Sequence, residues 1–253
     1  MTTSLPALSS KPAPKHTQTV YEAIVERIFE HTVDTRSLFL RLPVEQRLVF
    51  KPGQFLSFFL PVTEQVLTRP YSIASDPETG NLLEICFNLV PNGLGSRYLF
   101  ERRIGDMLRF TGPWGTFVLD QAPQSECIFI AEGTGIAPIR PMIKRALAAG
   151  DGGPVRLLYS VREEKEILYH AEWRSWARSS ERFHFVPLLS DPSAGWNGFR
   201  RSLLEQVERA YVQADSDRSR FFYICGVGSP VTALRDLLRQ AGYQRRAVQY
   251  EKW

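Results

Sequence analysis

From residue 17 to about residue 120, apolar residues come in short alternating or continuous runs, at 21–28, 37–42, 54–60, 71–74, 82–90 and 107–110. Turn residues separate the runs at short spacing, which predicts an all-β unit closed as a Greek-key-like barrel rather than an open sheet. The first run is ambiguous, because its apolar positions also fit one face of a helix. A short helix is predicted over 96–102, and Gly112-Pro113-Trp114-Gly115 reads as a closing turn. Gln121-Ala122-Pro123-Gln124 reads as a linker, and beyond it the period changes. The continuous apolar run 127–131 suits a strand buried on both faces. A helix over 138–149 follows, with Pro138 at its first position and Gly150 at its end. Further strands are expected at 155–161, 183–189, 221–225 and 247–251. Helices are expected between them at 163–179, 201–211 and from Pro230 to before Gly242, the last capped by Ser229. Strand–helix alternation predicts an α/β doubly wound parallel sheet over 125–253.

The length of 253 residues fits two such units. At 43% hydrophobic and 23% charged, the composition is that of a globular protein. No apolar run approaches the roughly 18 residues of a membrane span, so no membrane insertion is expected. Residues 1–16, rich in Ser, Pro and Ala, lack the basic and apolar regions of a secretory signal. They read as a disordered tail, and the cytoplasm is the expected compartment. Cys86, Cys127 and Cys225 are too dispersed for a disulfide framework, a Cys-x-x-Cys metal site or an iron–sulfur cluster, and the histidines show no zinc spacing. No metal is therefore expected. The net charge of +4 resides entirely beyond residue 123, which suits an anionic ligand or an acidic partner. Basic residues are not interleaved with aromatics in a stripe, so nucleic acid is not indicated.

Four stretches carry candidate chemistry. Arg69-Pro70-Tyr71-Ser72 joins a cationic fork, a fixed φ, an aromatic face with a polar tip and a small hydroxyl. That set suits a ligand with a pyrophosphate at one end and a flat, hydrogen-bonding ring at the other, such as flavin adenine dinucleotide; the plain alternative is an edge strand entering a turn. Gly93-Leu94-Gly95-Ser96 opens the short helix and can hold a pyrophosphate on backbone N–H groups, although a hairpin loop is the commoner explanation. Gly133-Thr134-Gly135-Ile136-Ala137-Pro138 lies between an apolar strand and a helix, the context in which glycines let a nucleotide phosphate approach a helix N-terminus. Arg162, just past the second α/β strand, stands where an arginine would hold a ribose 2′-phosphate. It favours NADP(H) over NAD(H), while Glu163 and Glu164 beside it argue the other way. Cys225-Gly226 ends the fourth strand at the carboxyl edge, where ligands of such sheets sit, and a buried cysteine is also ordinary core filling. Trp173 and Trp176 read as core, and the terminal Trp253 either packs or covers a flat ring.

Taken in order, these segments resemble the ferredoxin–NADP⁺ reductase family of flavoenzymes, from about residue 17 to the end. Arg69-Pro70-Tyr71-Ser72 is similar to the family's Arg-x-Tyr-Ser flavin motif, and Gly93 to Ser96 to its Gly-x-x-Ser pyrophosphate segment. Gly133 to Pro138 resembles its nicotinamide-nucleotide motif, Cys225-Gly226 its Cys-Gly pair, and Glu251-x-Trp253 its terminal Glu-x-aromatic. The resemblance implies an FAD domain at 17–120 and an NAD(P) domain at 125–253. It places Ser72 near the flavin's reactive N5, Tyr71 against the ring, Cys86, Phe87 and Asn88 along it through their backbone, and Thr134 at the nucleotide loop. Cys225 and Glu251 would place the nicotinamide, and Trp253 would compete with it for the ring. It implies hydride transfer between NADPH and FAD, then single-electron exchange with a separate ferredoxin or flavodoxin, by a monomer. The family's Ser-Arg pair after the third strand is replaced by Ser190-Asp191-Pro192, leaving Arg200 or Arg201 to substitute. Two alternatives stay open: an NADH-dependent reductase component of an oxygenase or other multicomponent system, and a non-catalytic flavin relay subunit.

Overall fold

Alternation of buried and exposed positions dictates the first sheet. In the computed structural model, which describes residues 19–253 apart from 63, 65, 201 and 215, six antiparallel strands form it. They are β1 (Val20–Glu30), β2 (Thr35–Arg41), β3 (Phe55–Leu60), β4 (Leu67–Ser72), β5 (Leu82–Asn88) and β6 (Met107–Trp114). The strand order is β4-β3-β6-β1-β2-β5. An Ile73↔Ile85 bridge joins the two end strands, so the sheet closes on itself and leaves no free edge there. Inward residues such as Leu38, Leu40, Leu56, Phe58, Leu60 and Phe110 are fully buried inside it. The expected tail at 1–16 lies outside the described residues.

The first run is a strand, not a helix. Its mixed period has a local cause: the register slips between Val25 and Arg27, a bulge that breaks strict alternation. The expected turn at 112–115 is corrected, because β6 runs through Pro113 to Trp114 and keeps pairing with β3, where Phe55 faces Trp114. β4 likewise begins earlier than the apolar pattern suggested, since Leu67–Ser72 pairs along the whole of β3. The short helix is α1 (Leu94–Phe100).

The second sheet is parallel, with β7 (Cys127–Glu132), β8 (Val155–Val161), β9 (Phe183–Leu189), β10 (Phe221–Gly226) and β11 (Val248–Lys252) in the order β11-β10-β7-β8-β9. Helices α2 (Ile136–Ala148) and α3 (His170–Ser179) pack on one face. On the other lie α4 (Leu203–Val207), which continues as a wider π-helical turn to Gln213, and α5 (Ser229–Gln240). The expected helix over 163–179 is split. A 3-10 turn at Glu164–Glu166 comes first, and Tyr169, at the left-handed φ of 56°, starts α3. Two caps are also corrected. Pro138 is the third helical residue, still in the turn where a missing N–H leaves no bond unmade. Ser229 is itself helical, and Gly228, at φ 72°, takes the cap position without a side-chain bond.

The apolar core on the α2 face does not stop at the second sheet. It takes in Ala74 and Cys86 from the barrel, with Phe117 and Leu119 between the halves. Gly53 shows how closely they meet, since a Cβ built there would lie 2.2 Å from Met142 Cε and 2.1 Å from the Phe117 carbonyl oxygen. No helix among the described residues is long and apolar enough to cross a membrane.

Candidate functional site

The parallel sheet grows outward from β7 in both directions, β8 and β9 on one side, β10 and β11 on the other. The loops after β7 and β10 therefore diverge and leave a crevice at the carboxyl ends, the place such sheets bind ligands. Gly133–Gly135 forms a 3-10 turn there and leads into α2. Gly133 has a left-handed φ of +52° and open space around it, and its carbonyl accepts from Tyr159 Oη at 3.0 Å. Gly135 has no such space. A Cβ there would lie 2.3 Å from the Cys225 carbonyl oxygen and 2.9 Å from Gly226 N. Thr134 turns to the barrel, its hydroxyl donating to Asn88 Oδ1 at 3.2 Å. A cavity of about 930 Å³ opens between the halves, lined by Asn88, Gly133, Thr134, Arg162 and Arg200 among others.

Two lining residues, Asp34 from the barrel and Glu132 at the end of β7, were not picked out by sequence reasoning. No local pattern marks either. Glu132 is half-buried, and burial pushes its carboxyl above the usual range.

Arg162 sits on the cavity wall with its charge engaged. Its Nη2 lies 2.7 Å from Glu163 Oε1 and 3.2 Å from Glu166 Oε1. Glu166 also accepts from the backbone N–H of Arg162 and Glu163, at 3.2 and 3.4 Å. The Glu163 beside it, read from the sequence as a competitor, does pair with it. Arg200 donates to the carbonyls of Ser193 and Trp196, at 3.3 and 3.0 Å; Arg201 lies outside the described residues.

On the barrel side, β3 pairing sets Arg69 opposite Phe58, Tyr71 opposite Leu56 and Ser72 opposite Phe55. Arg69 donates to the Thr68 carbonyl at 2.9 Å. The half-buried Tyr71 ring meets Phe58 and Phe87 edge-on, at 5.8 and 5.5 Å. Burial pushes its hydroxyl up to about 12, against the pull of Arg69. The start of α1 closes on this pair. A Cβ at Gly95 would lie 3.1 Å from Arg69 Cγ and 3.5 Å from Tyr71 Oη. Ser96 fixes the loop from within, accepting from Val90 N at 3.0 Å and donating to the Gly93 carbonyl at 3.2 Å. Leu94 is half-exposed beside it. Cys86 and Phe87 are buried at the end of β5, and Asn88 is exposed towards Thr134.

The chain end ties the two sides together. In the β10–β11 pairing Glu251 lies opposite Cys225, and Trp253 N donates to the Gly226 carbonyl at 3.2 Å. The Trp253 ring meets Phe55 edge-on at 6.0 Å, which brings it to the strand pair that carries Ser72. Glu251 Oε2 is buried with no hydrogen-bond partner, and burial pushes the carboxyl up to about 7. Burial likewise pushes the Cys225 thiol up, so it stands as a neutral wall group. The β3–β4 strand pair therefore carries two clusters, Arg69, Tyr71 and Gly95 in one, and Ser72 and Phe55 with Trp253, Glu251 and Cys225 in the other, where Phe55 and Glu251 line a separate cavity of about 480 Å³. The glycine turn abuts the second. Aromatic faces beside a few polar groups suit a flat ring, and the diverging loops suit a second, anionic nucleotide.

Similarity to known proteins bears on the same residues. A model described as an oxidoreductase FAD-binding domain matches residues 22–119, and one described as an oxidoreductase NAD-binding domain matches residues 129–235. The chain is 32% identical over 209 residues to ferredoxin–NADP reductase B of Sorangium cellulosum, which covers 81% of this chain and 86% of that protein. It is 28% identical over 209 residues to the anthranilate 1,2-dioxygenase electron transfer component of Acinetobacter baylyi, covering 82% of this chain but only 59% of that longer protein. A crystal structure of a ferredoxin NADP⁺ reductase from Neisseria gonorrhoeae, with bound FAD and NADP, superposes with a TM-score of 0.79 at 21% identity. The match covers 92% of this chain and 97% of that one, and shows the shared fold.

Proposed function

Because the chain belongs to the ferredoxin–NADP⁺ reductase family of FAD- and NAD(P)-binding oxidoreductases, we propose that it exchanges hydride between NADPH and FAD. It then exchanges single electrons with a separate ferredoxin or flavodoxin. The observation that carries this reading is the buried, unpartnered Glu251 Oε2 at the meeting point of barrel and parallel sheet. A buried carboxyl without a partner is costly, and a ring with hydrogen-bonding edges in the cleft would relieve it. The residues fit FAD in other respects. Arg69 and the Gly93–Ser96 loop lie close together, with a Cβ at Gly95 only 3.1 Å from Arg69 Cγ, which suits a cradle for a pyrophosphate. Phe55, Tyr71 and Trp253 supply aromatic walls.

Bound FAD would supply the exchange between two-electron and one-electron chemistry that no side chain performs. The chain's own residues bind, orient and handle protons. Ser72 donates or accepts at the ring edge, and Arg69 anchors the far end. Glu251 holds a proton on its carboxyl below about pH 7 and releases it above. Gly133, with open space around it, admits the nucleotide phosphate close to the backbone, Gly135 lets the turn pack on β10, and Cys225 walls the nicotinamide position without a charge. Trp253 shields the ring from water until a nicotinamide displaces it.

The test is to add FAD to the purified protein and titrate it anaerobically with NADPH and with NADH. Uptake of FAD and bleaching of its visible band by NADPH is the expected result. A protein that stays colourless in excess FAD overturns the reading.

A specific observation favours a second reading, an NADH-dependent reductase component of an oxygenase or related system. Arg162 is held by Glu163 and Glu166, so a 2′-phosphate would meet two carboxylates along with the guanidinium. Arg162→Ala separates the two. If NADPH is the donor, its KM rises about tenfold, the loss of one charge-assisted contact, while that for NADH stays within a factor of about two. Equal effects on both nucleotides remove Arg162 from the 2′-phosphate and favour NADH.

A further inference from the structure

A buried polar cluster joins the barrel to the parallel sheet, away from the ring cleft. Its centre is Glu84 on β5, whose side chain is 4% exposed. One carboxylate oxygen accepts from Ser37 Oγ at 2.7 Å and from Tyr169 Oη at 2.8 Å, and the other from Arg140 Nη1 at 2.7 Å. Arg140 binds both halves in turn. It donates to the Ala74 carbonyl at 3.1 Å and through Nε to Glu172 at 2.7 Å, and its guanidinium lies 4.3 Å from the Tyr169 ring centre. Ser37, Ala74 and Glu84 belong to the barrel half; Arg140 lies on α2, Glu172 on α3, and Tyr169 caps α3. One helical turn further along α2, Lys144 pairs with Asp76 on the barrel.

Burying a charge pair is expensive unless every lone pair and proton finds a partner, and here the donors come from both halves. The cluster therefore forms only at one relative placement of the two units. That placement matters because of what lies at either end. Two residues on from Glu84, on the same strand face, is Cys86, and the strand ends at Asn88 against Thr134. Four residues before Arg140, roughly 6 Å along the helix, α2 begins at Ile136, directly after the glycine turn.

We infer that Arg140, Glu84 and Tyr169 form an interdomain latch that fixes the barrel's ring-lining strand relative to the nucleotide-holding helix. The three are positioning residues, since none of them touches the cleft. The consequence for catalysis rests on the reading given above. Hydride transfer needs reacting atoms about 3–3.5 Å apart, and a misplacement of about 1 Å can cost on the order of a hundredfold in rate.

The latch is tested on the flavin-free protein first. All three native cysteines are buried, so spin labels at Glu101→Cys and Glu181→Cys, both exposed and one on each unit, report the separation of the halves. Glu84→Gln combined with Arg140→Met removes both charges together and leaves neither buried alone. The parent is expected to give a single narrow distance distribution, and the double variant to broaden or shift it. In the flavin-loaded protein kcat should fall at least tenfold, with the KM for the nicotinamide nucleotide within a factor of two. Tyr169→Phe, which removes one hydroxyl, should move both readouts the same way by less, and it decides the matter if the double variant does not fold. A folded variant with the parent's narrow distribution overturns the latch, even if its melting temperature drops. Failure of the parent to bind FAD would overturn the proposed function and leave the distance measurement to judge the latch alone.

Discussion

Gly135→Ala is expected to lower the unfolding free energy by about 3 kcal/mol and to abolish reduction by the nicotinamide nucleotide. The added Cβ would sit 2.3 Å from the Cys225 carbonyl oxygen, 2.7 Å from its carbon and 2.9 Å from Gly226 N. All three are backbone atoms of a central strand, paired on both sides with β7 and β11, so none can turn aside as a flexible side chain would. Overpacking of this kind costs about 1–3 kcal/mol in well-packed interiors, and an unyielding wall puts this site at the upper end. The glycine turn must then lift off β10, widening the crevice between the loops after β7 and β10. Gly133→Ala is the control. It meets nothing within 4 Å and bears only the left-handed φ of +52°, a cost of about 1–2 kcal/mol. Urea unfolding of both variants, with nucleotide binding followed by flavin bleaching, measures the difference. A Gly135→Ala protein as stable as its parent would show that the helix can slide, and the packing account would be wrong.

These two glycines show what a sequence can and cannot carry. The run from Gly133 to Pro138 is legible because its meaning is local: a strand, a turn free of side chains, a helix. Arg69 to Ser72 is legible for the same reason, since one strand places all four groups. The distinct duties of the glycines are not legible, because Gly135 is constrained by Cys225, which follows it 90 positions later. Glu84, Arg140 and Tyr169 look like surface residues in the linear text. Glu84 becomes the most buried carboxylate of the latch only because β5 runs under α2. Helix ends were misplaced where backbone geometry overrode side-chain preference: Gly228 outcompetes Ser229 by tolerating φ 72°. At 21–30 the bulge at Val25 mixed two periods in one strand. Arg162 is an intermediate case. Its acidic neighbours were visible, but Glu166, which holds both its side chain and its backbone, comes into reach only through the 3-10 turn.

Glu251→Gln is expected to make the flavin-free protein more stable at pH 8–9 and no more stable near pH 4. Burial lifts the Glu251 carboxyl from the ordinary 4.5 to about 7 in the folded chain. Between those two values the folded state keeps a proton that the unfolded state releases. The contribution of Glu251 to stability is therefore at its best below about pH 4.5, declines as pH rises, and is fully lost above about pH 7. A gap of this size corresponds to about 3 kcal/mol. Glutamine is neutral throughout, so the benefit of the substitution should grow across that window and then level off. Urea midpoints at pH 4, 6 and 8.5 measure it; a constant difference between variant and parent across that range would place the carboxyl in water rather than in the cleft. The same substitution should cost the flavin-loaded enzyme on the order of a hundredfold in kcat, the usual worth of a group that moves a proton at the reacting atoms. A side chain whose removal strengthens the fold while weakening turnover is held in place for its chemistry. That combination assigns Glu251 to the reaction, whereas a gain in stability with turnover unchanged would assign it to neither the ring nor the nicotinamide.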